Sequence, residues 1–118
     1  MTKAQEKVLN EIRDEIAYAK KFDNFKDYYI HNNARYCEGR PNHEEILELY
    51  TKEWEKHGEE IEKYYKKYWL DKRDNIALTH CSSATLKVLE REGYIRIIKD
   101  SANERYGIDY VELIEVRA

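Results

Sequence analysis

A chain of 118 residues with 38% charged and 42% apolar side chains is long enough to bury the core of one domain, without a metal or disulfide staple. Its apolar runs stop at about three or four residues, which excludes a membrane-spanning helix, and Met1–Glu6 lacks the apolar centre of a secretory signal. The net charge of −3 is spread along the chain, with 13 basic and 15 acidic side chains over residues 1–69 and 8 and 9 over residues 70–118; neither part has the cationic surplus behind strong non-specific nucleic-acid binding, although a small basic patch stays open.

Residues 3–21 are expected to form a first helix. Thr2 is positioned to cap it, and Leu9, Ile12, Ile16 and Ala19 repeat at helical spacing, with Val8 beside them. The aromatic stretch 22–36 reads as a short second helix, followed by loop signals at Cys37-Glu38-Gly39-Arg40-Pro41-Asn42. Asn42 then caps a long helix over about residues 43–72, with Glu44 and Glu45 in its first turn. Leu47, Tyr50, Trp54, His57, Ile61, Tyr64 and Tyr68 alternate at three and four residues along it. That heptad spacing predicts a seam facing either the first helix or another subunit. Gly58 lies inside this helix and predicts a bend.

Asn75–Thr79 is short, apolar and expected to be extended. A helix over 82–92 follows, with Gly93 placed to end it in a left-handed conformation. Ile95–Lys99 and Ile108–Val116 read as two strands joined by the polar turn Asp100–Gly107. The fold class expected is α+β and mainly helical, with a long central helix. The expected organisation is one domain, residues 1–74 being its helical part and 75–118 a helix-plus-hairpin module.

The segment Thr85-Leu86-x-x-Leu89-Glu90-x-x-Gly93-x-Ile95 resembles the winged-helix pattern of many bacterial transcriptional regulators and replication initiators. The opening Thr2–Leu9 is similar to the first helix of such domains. The chain as a whole resembles small proteins carried by phages and mobile elements of Gram-positive bacteria. The resemblance covers about 45 residues in two pieces. It implies that 82–92 is a recognition helix, Asp100–Gly107 a wing tip, and the protein a DNA-binding regulator. One departure is plain. A helix-turn-helix needs a second helix about three or four residues before the recognition helix, and the extended Ile76–Thr79 intervenes here.

A nucleic-acid surface would draw on Ser82, Ser83, Thr85, Lys87, Arg91 and Arg105: hydroxyls for phosphate at a helix N-terminus, and cations for phosphate or base edges. The plainer alternative is a serine N-cap and an ordinary solvated face. Ala84 and Val88 share the outward face with Arg91, which suits either thymine methyls or a protein cover. A protein interface would draw on Trp54, Ile61, Tyr64, Tyr65, Tyr68, Trp69 and Val88, because tyrosine and tryptophan are enriched at binding hot spots. Lys63-Tyr64-Tyr65-Lys66-Lys67-Tyr68-Trp69 mixes cations with rings in the manner of single-strand binders. An amphipathic helix with Tyr64 and Tyr68 turned inward writes the same string. A homodimer through the long helix is expected.

Cys37, His43, His80 and Cys81 are metal-ligand types without metal-ligand spacing, so no metal is expected, and both thiols should be free in a reducing cytoplasm. His57, on the apolar seam, reads as a core or interface histidine. No phosphate loop, nucleophile elbow, HExxH or catalytic carboxylate pair occurs. The expectation is a cytoplasmic, non-enzymatic protein without cofactor. It binds DNA, or else acts as an inhibitor or adaptor that engages a host protein through a winged-helix scaffold, in the manner of anti-CRISPR and other host-defence antagonists.

Overall fold

A computed structural model describes residues 1–99 and 109–114. Four α-helices, a single 3₁₀ turn and three strands follow in the order α1 (Lys3–Lys20), α2 (Phe25–Asn33), the turn Arg35–Cys37, α3 (His43–Arg73), β1 (Ile76–Thr79), α4 (Ser83–Arg91), β2 (Ile95–Lys99) and β3 (Asp109–Leu113). The described chain is thus mainly helical α+β, with a small antiparallel sheet in the order β1-β3-β2. It separates into two compact units, one made of Met1–Lys20 with Asp71–Ala118, the other of Lys21–Leu70.

The first unit draws its core from both ends of the sequence. Thr2 and Gln5 open α1 with a reciprocal capping box: the Gln5 N–H donates to Thr2 Oγ1 at 3.2 Å, and the Thr2 N–H donates to Gln5 Oε1 at 3.0 Å. The predicted stripe Leu9, Ile12 and Ile16 is buried in one cluster with Ala77, Leu86, Leu89, Ile95 and Val111. In the sheet, Val111 pairs with Ala77 on one side and Ile97 on the other, and Ile95 pairs with Leu113. The period of two puts all five on the inner face. Each fully buried leucine or isoleucine in this cluster contributes about 1.5–3 kcal/mol.

Polar contacts fix the entry to the sheet. Asn75 takes a left-handed φ of 66° between α3 and β1. Its carbonyl accepts the Leu113 N–H at 2.8 Å, and its side-chain oxygen accepts from Lys20 Nζ. Lys72 in the last turn of α3 pairs with Glu15 of α1 at 3.3 Å. The first unit thus joins residues 1–20 of the part expected to be helical to the module expected over 75–118. The first helix buries the aliphatic stripe Leu9, Ile12 and Ile16 and, through it, belongs with the aliphatic helix and sheet at the far end of the chain.

The second unit is held by rings. Asn24 caps α2 by accepting the Asp27 N–H at 2.9 Å. Phe25 then lies 5.7 Å from Trp54 and 6.1 Å from Trp69, and Tyr28 stacks on Trp69 at 6.3 Å. Tyr29 stands 6.0 Å from Trp54 and meets Tyr50 edge-on at 6.1 Å. Such pairs add about 0.5–1.5 kcal/mol each beyond the area they bury.

The Asn42 carbonyl accepts the first helical bond of α3, from the Ile46 N–H at 3.1 Å. The bend expected at Gly58 falls one residue earlier, where His57 leaves helical geometry at φ −128°, ψ 19°. Gly58 serves a different purpose. A Cβ there would lie 3.2 Å from Trp54 Cε2, so glycine makes room for the indole. The expected seam is only partly buried past the bend. Beyond it the buried positions are Ile61 and Trp69, while Tyr64 is 63% exposed and Tyr68 38%. The inward packing expected of Tyr64 and Tyr68 is corrected on this point: of the seam residues past the bend only Ile61 is buried.

Candidate nucleic-acid interface

The geometry of α4 follows from its two ends and one stripe. At its start the Ser82 hydroxyl accepts the Thr85 N–H at 3.3 Å and shares a hydrogen bond with Thr85 Oγ1 at 2.9 Å. At its end Gly93 adopts φ 86°. The Tyr94 N–H bonds the Leu89 carbonyl and the Gly93 N–H bonds the Glu90 carbonyl, both at 3.0 Å. Those two bonds make a Schellman stop, and Tyr94 packs on the same core as Leu89. Between the ends Leu86 and Leu89 are 1% and 0% exposed. They press one side of the helix onto the core and fix which side faces out.

The outward side is Ala84, Lys87, Val88 and Arg91, at positions i, i+3, i+4 and i+7. Ala84, Lys87 and Arg91 are exposed and Val88 is half-buried. Glu90 lies off this side. Its Oε2 accepts the Ile97 N–H of β2 at 2.7 Å. Of the described residues of α4, the outward side thus carries two cations and no carboxylate, although each unit as a whole has no basic surplus.

The other predicted residues divide. Ser82 is exposed, while Ser83 and Thr85 are half-buried beside the cap, so the Ser82 and Thr85 hydroxyls are already engaged with each other. Arg105 and the turn Asp100–Gly107 lie outside the described residues. Sequence reading named Glu90 only within the winged-helix pattern and missed its bond to the Ile97 N–H. No helix lies between β1 and α4, as the extended Ile76–Thr79 predicted.

The residues expected at a protein interface separate by burial. Trp69 and Ile61 are buried, Trp54 and Val88 half-buried, and Tyr64, Tyr65 and Tyr68 exposed. Lys63 Nζ sits 5.7 Å from the Tyr64 ring centre, and Lys66 pairs with Glu62 at 2.8 Å. Within this aromatic unit the Tyr29 phenol is held above its ordinary value by burial first, and then by the Glu53 carboxylate and the neighbouring Tyr50 and Tyr65. A hollow of about 460 Å³ opens at the bend of α3, lined by Trp54, His57, Gly58 and glutamates.

Both cysteines are free thiols, Cys37 buried and Cys81 packed on the aliphatic core. Among the described residues no group of three or more His, Cys, Asp or Glu side chains is arranged to hold a metal ion. Among them, too, no helix is long and apolar enough to cross a membrane. Compared with known proteins, the chain matches no family model, no curated protein and no solved structure.

Proposed function

We propose that this protein is a small, non-enzymatic DNA-binding regulator of the kind carried by phages and mobile elements, with α4 as the helix that enters the groove. The observation that carries the reading is the outward side of α4: Lys87 and Arg91 exposed on it, Glu90 drawn away to β2, and the opposite side locked by Leu86 and Leu89. The sheet order β1-β3-β2 behind α4 supports the winged-helix resemblance of 82–95. In this reading α4 works without the preceding helix of a helix-turn-helix, and rests on the sheet and α1 instead. Arg91 reaches base edges or phosphate, and Lys87 takes phosphate as a point charge.

The test is a salt-dependent titration with mixed duplex fragments. Arg91→Ala should cost about 1–3 kcal/mol if it contacts a base, and Lys87→Ala should lower the salt slope by about one. Failure of the unaltered protein to bind at about 50 mM salt would overturn the reading, since non-specific binders hold duplex with Kd of about 10⁻⁴–10⁻⁶ M in saltier solution.

One observation favours a second reading, an inhibitor or adaptor that binds a host protein. Tyr64, Tyr65 and Tyr68 stand exposed together on α3, and exposed tyrosine clusters suit binding hot spots. Purification from lysate with and without nuclease separates the two. A protein retained after nuclease, and lost on Tyr64→Ala/Tyr68→Ala, supports this second reading.

A further inference from the structure

We infer that α4 distinguishes thymine-containing duplex DNA by its 5-methyl groups, with Val88 and Ala84 as the specificity-determining side chains. The inference rests on the reading of α4 as the groove-contacting helix and adds what that helix recognises. The outward side is not uniformly basic. Methyl-bearing and cationic side chains alternate along it in the order Ala84, Lys87, Val88, Arg91, and Ala84 is exposed while Val88 is half-buried.

The spacing suits a base ladder. At about 1.5 Å rise per residue, Ala84 to Arg91 spans about 10 Å, roughly three steps of a strand that rises about 3.4 Å per base. Ala84 and Val88 are one turn apart, about 6 Å along the helix and close to two base steps. The major groove offers a complement to this alternation. Thymine presents a methyl group there, and guanine presents the O6 and N7 acceptors that arginine or lysine engages. On a DNA-contacting helix, the exposed Ala84 and the uncovered part of Val88 find matching chemistry in that groove in the thymine methyl. The charge pattern agrees with the same occupant: Lys87 and Arg91 are exposed on this side, and the helix's own glutamate is turned to the Ile97 N–H.

The experiment compares two labelled duplexes of identical mixed sequence, one with thymidine and one with deoxyuridine at every such position. The substitution removes the methyl groups and leaves base pairing and phosphates in place. The thymine duplex is expected to bind about four-fold tighter for each methyl that α4 covers, at an unchanged salt slope. Val88→Ala should lower the thymine-to-uracil ratio toward one, the ratio being the readout whatever the absolute affinity of the variant. Ala84→Ser, at an exposed position, supplies a second variant should Val88→Ala disturb the fold, which circular dichroism reports. Equal affinity of the unaltered protein for both duplexes, with salt-dependent binding intact, overturns thymine recognition and leaves DNA binding standing. A ratio unchanged in folded Val88→Ala and Ala84→Ser also overturns it. Binding to neither duplex removes the DNA reading itself.

Discussion

The two units solve the same packing problem with different materials. The unit of α1, α4 and the sheet buries leucine, isoleucine, valine and alanine, and brings residue 9 together with residue 111. The unit of α2 and most of α3 is contiguous, and it stacks Phe25, Tyr28, Tyr29, Trp54 and Trp69 across one helix pair. Aliphatic packing is set by shape and area and tolerates no void. Ring packing adds edge and face preferences and fills space with few side chains. A chain with so many charged residues has few apolar positions to use. Aromatic rings let about fifty residues build a second compact unit from a handful of them.

The contrast can be broken at its two centres. The largest effect is expected from Trp69→Ala, because Trp69 is 5% exposed and touches both Phe25 and Tyr28. The loss should be about 3–5 kcal/mol, read by chemical denaturation with near-ultraviolet dichroism; a loss below about 1 kcal/mol would mean the rings do not hold the unit. Next comes Leu89→Ala in the aliphatic core, expected to cost about 2–5 kcal/mol. Its near-ultraviolet signal from the tryptophans should persist to higher denaturant than that of Trp69→Ala.

Two smaller changes sharpen the comparison. Gly58→Ala gains about 1 kcal/mol of helix propensity but drives a methyl against Trp54, whose ring is braced by Phe25 and Tyr29. Overpacking of this kind costs about 1–3 kcal/mol, so a net loss of about 1 kcal/mol and a shifted tryptophan emission are expected. A gain in stability would show that the ring is free to move. The smallest effect concerns alkali. Tyr29 stays neutral above the ordinary phenol value of 10.0, so the folded chain keeps a proton that the unfolded chain has released. Stability from this group is constant below that value and falls as pH rises through the folded pKa. Tyr29→Phe should unfold less steeply with alkali than the unaltered chain, and identical alkaline profiles would contradict the assignment.

Much of the first unit was legible because its signals are local. Thr2, Ser82 and Gly93 act within a turn of their own position, and the α1 stripe and the β2 run are periodic over their whole length. What the sequence could not express was partnership. The stripe Leu9–Ile16 is equally fit to meet α3 or α4, and only the three-dimensional division assigns it to α4 and the sheet. The α3 seam misled for a related reason. Heptad spacing presumes an unbroken helix with one continuous cover, whereas His57 departs from helical geometry and Tyr64 and Tyr68 are exposed beside a buried Ile61. Of the candidate DNA surface, the Lys87 and Arg91 side of α4 was readable from the position of Leu86 and Leu89. The withdrawal of Glu90 was not, because a charged side chain beside a buried stripe has no sequence mark for its target.

That withdrawal has a second effect at the border of the sheet. β2 is an outer strand, and an outer strand offers unpaired amides on which another chain can lay down a further strand. The Ile97 amide is already occupied by the Glu90 carboxylate, and the pairing of β2 with β3 slips between Ile97 and Lys99. A charged plug and an irregular register together make this border a poor template for strand addition. The side chain that turns from α4 toward the sheet thus also covers an edge amide against edge-to-edge association, and Glu90→Ala uncovers the Ile97 N–H in a single change.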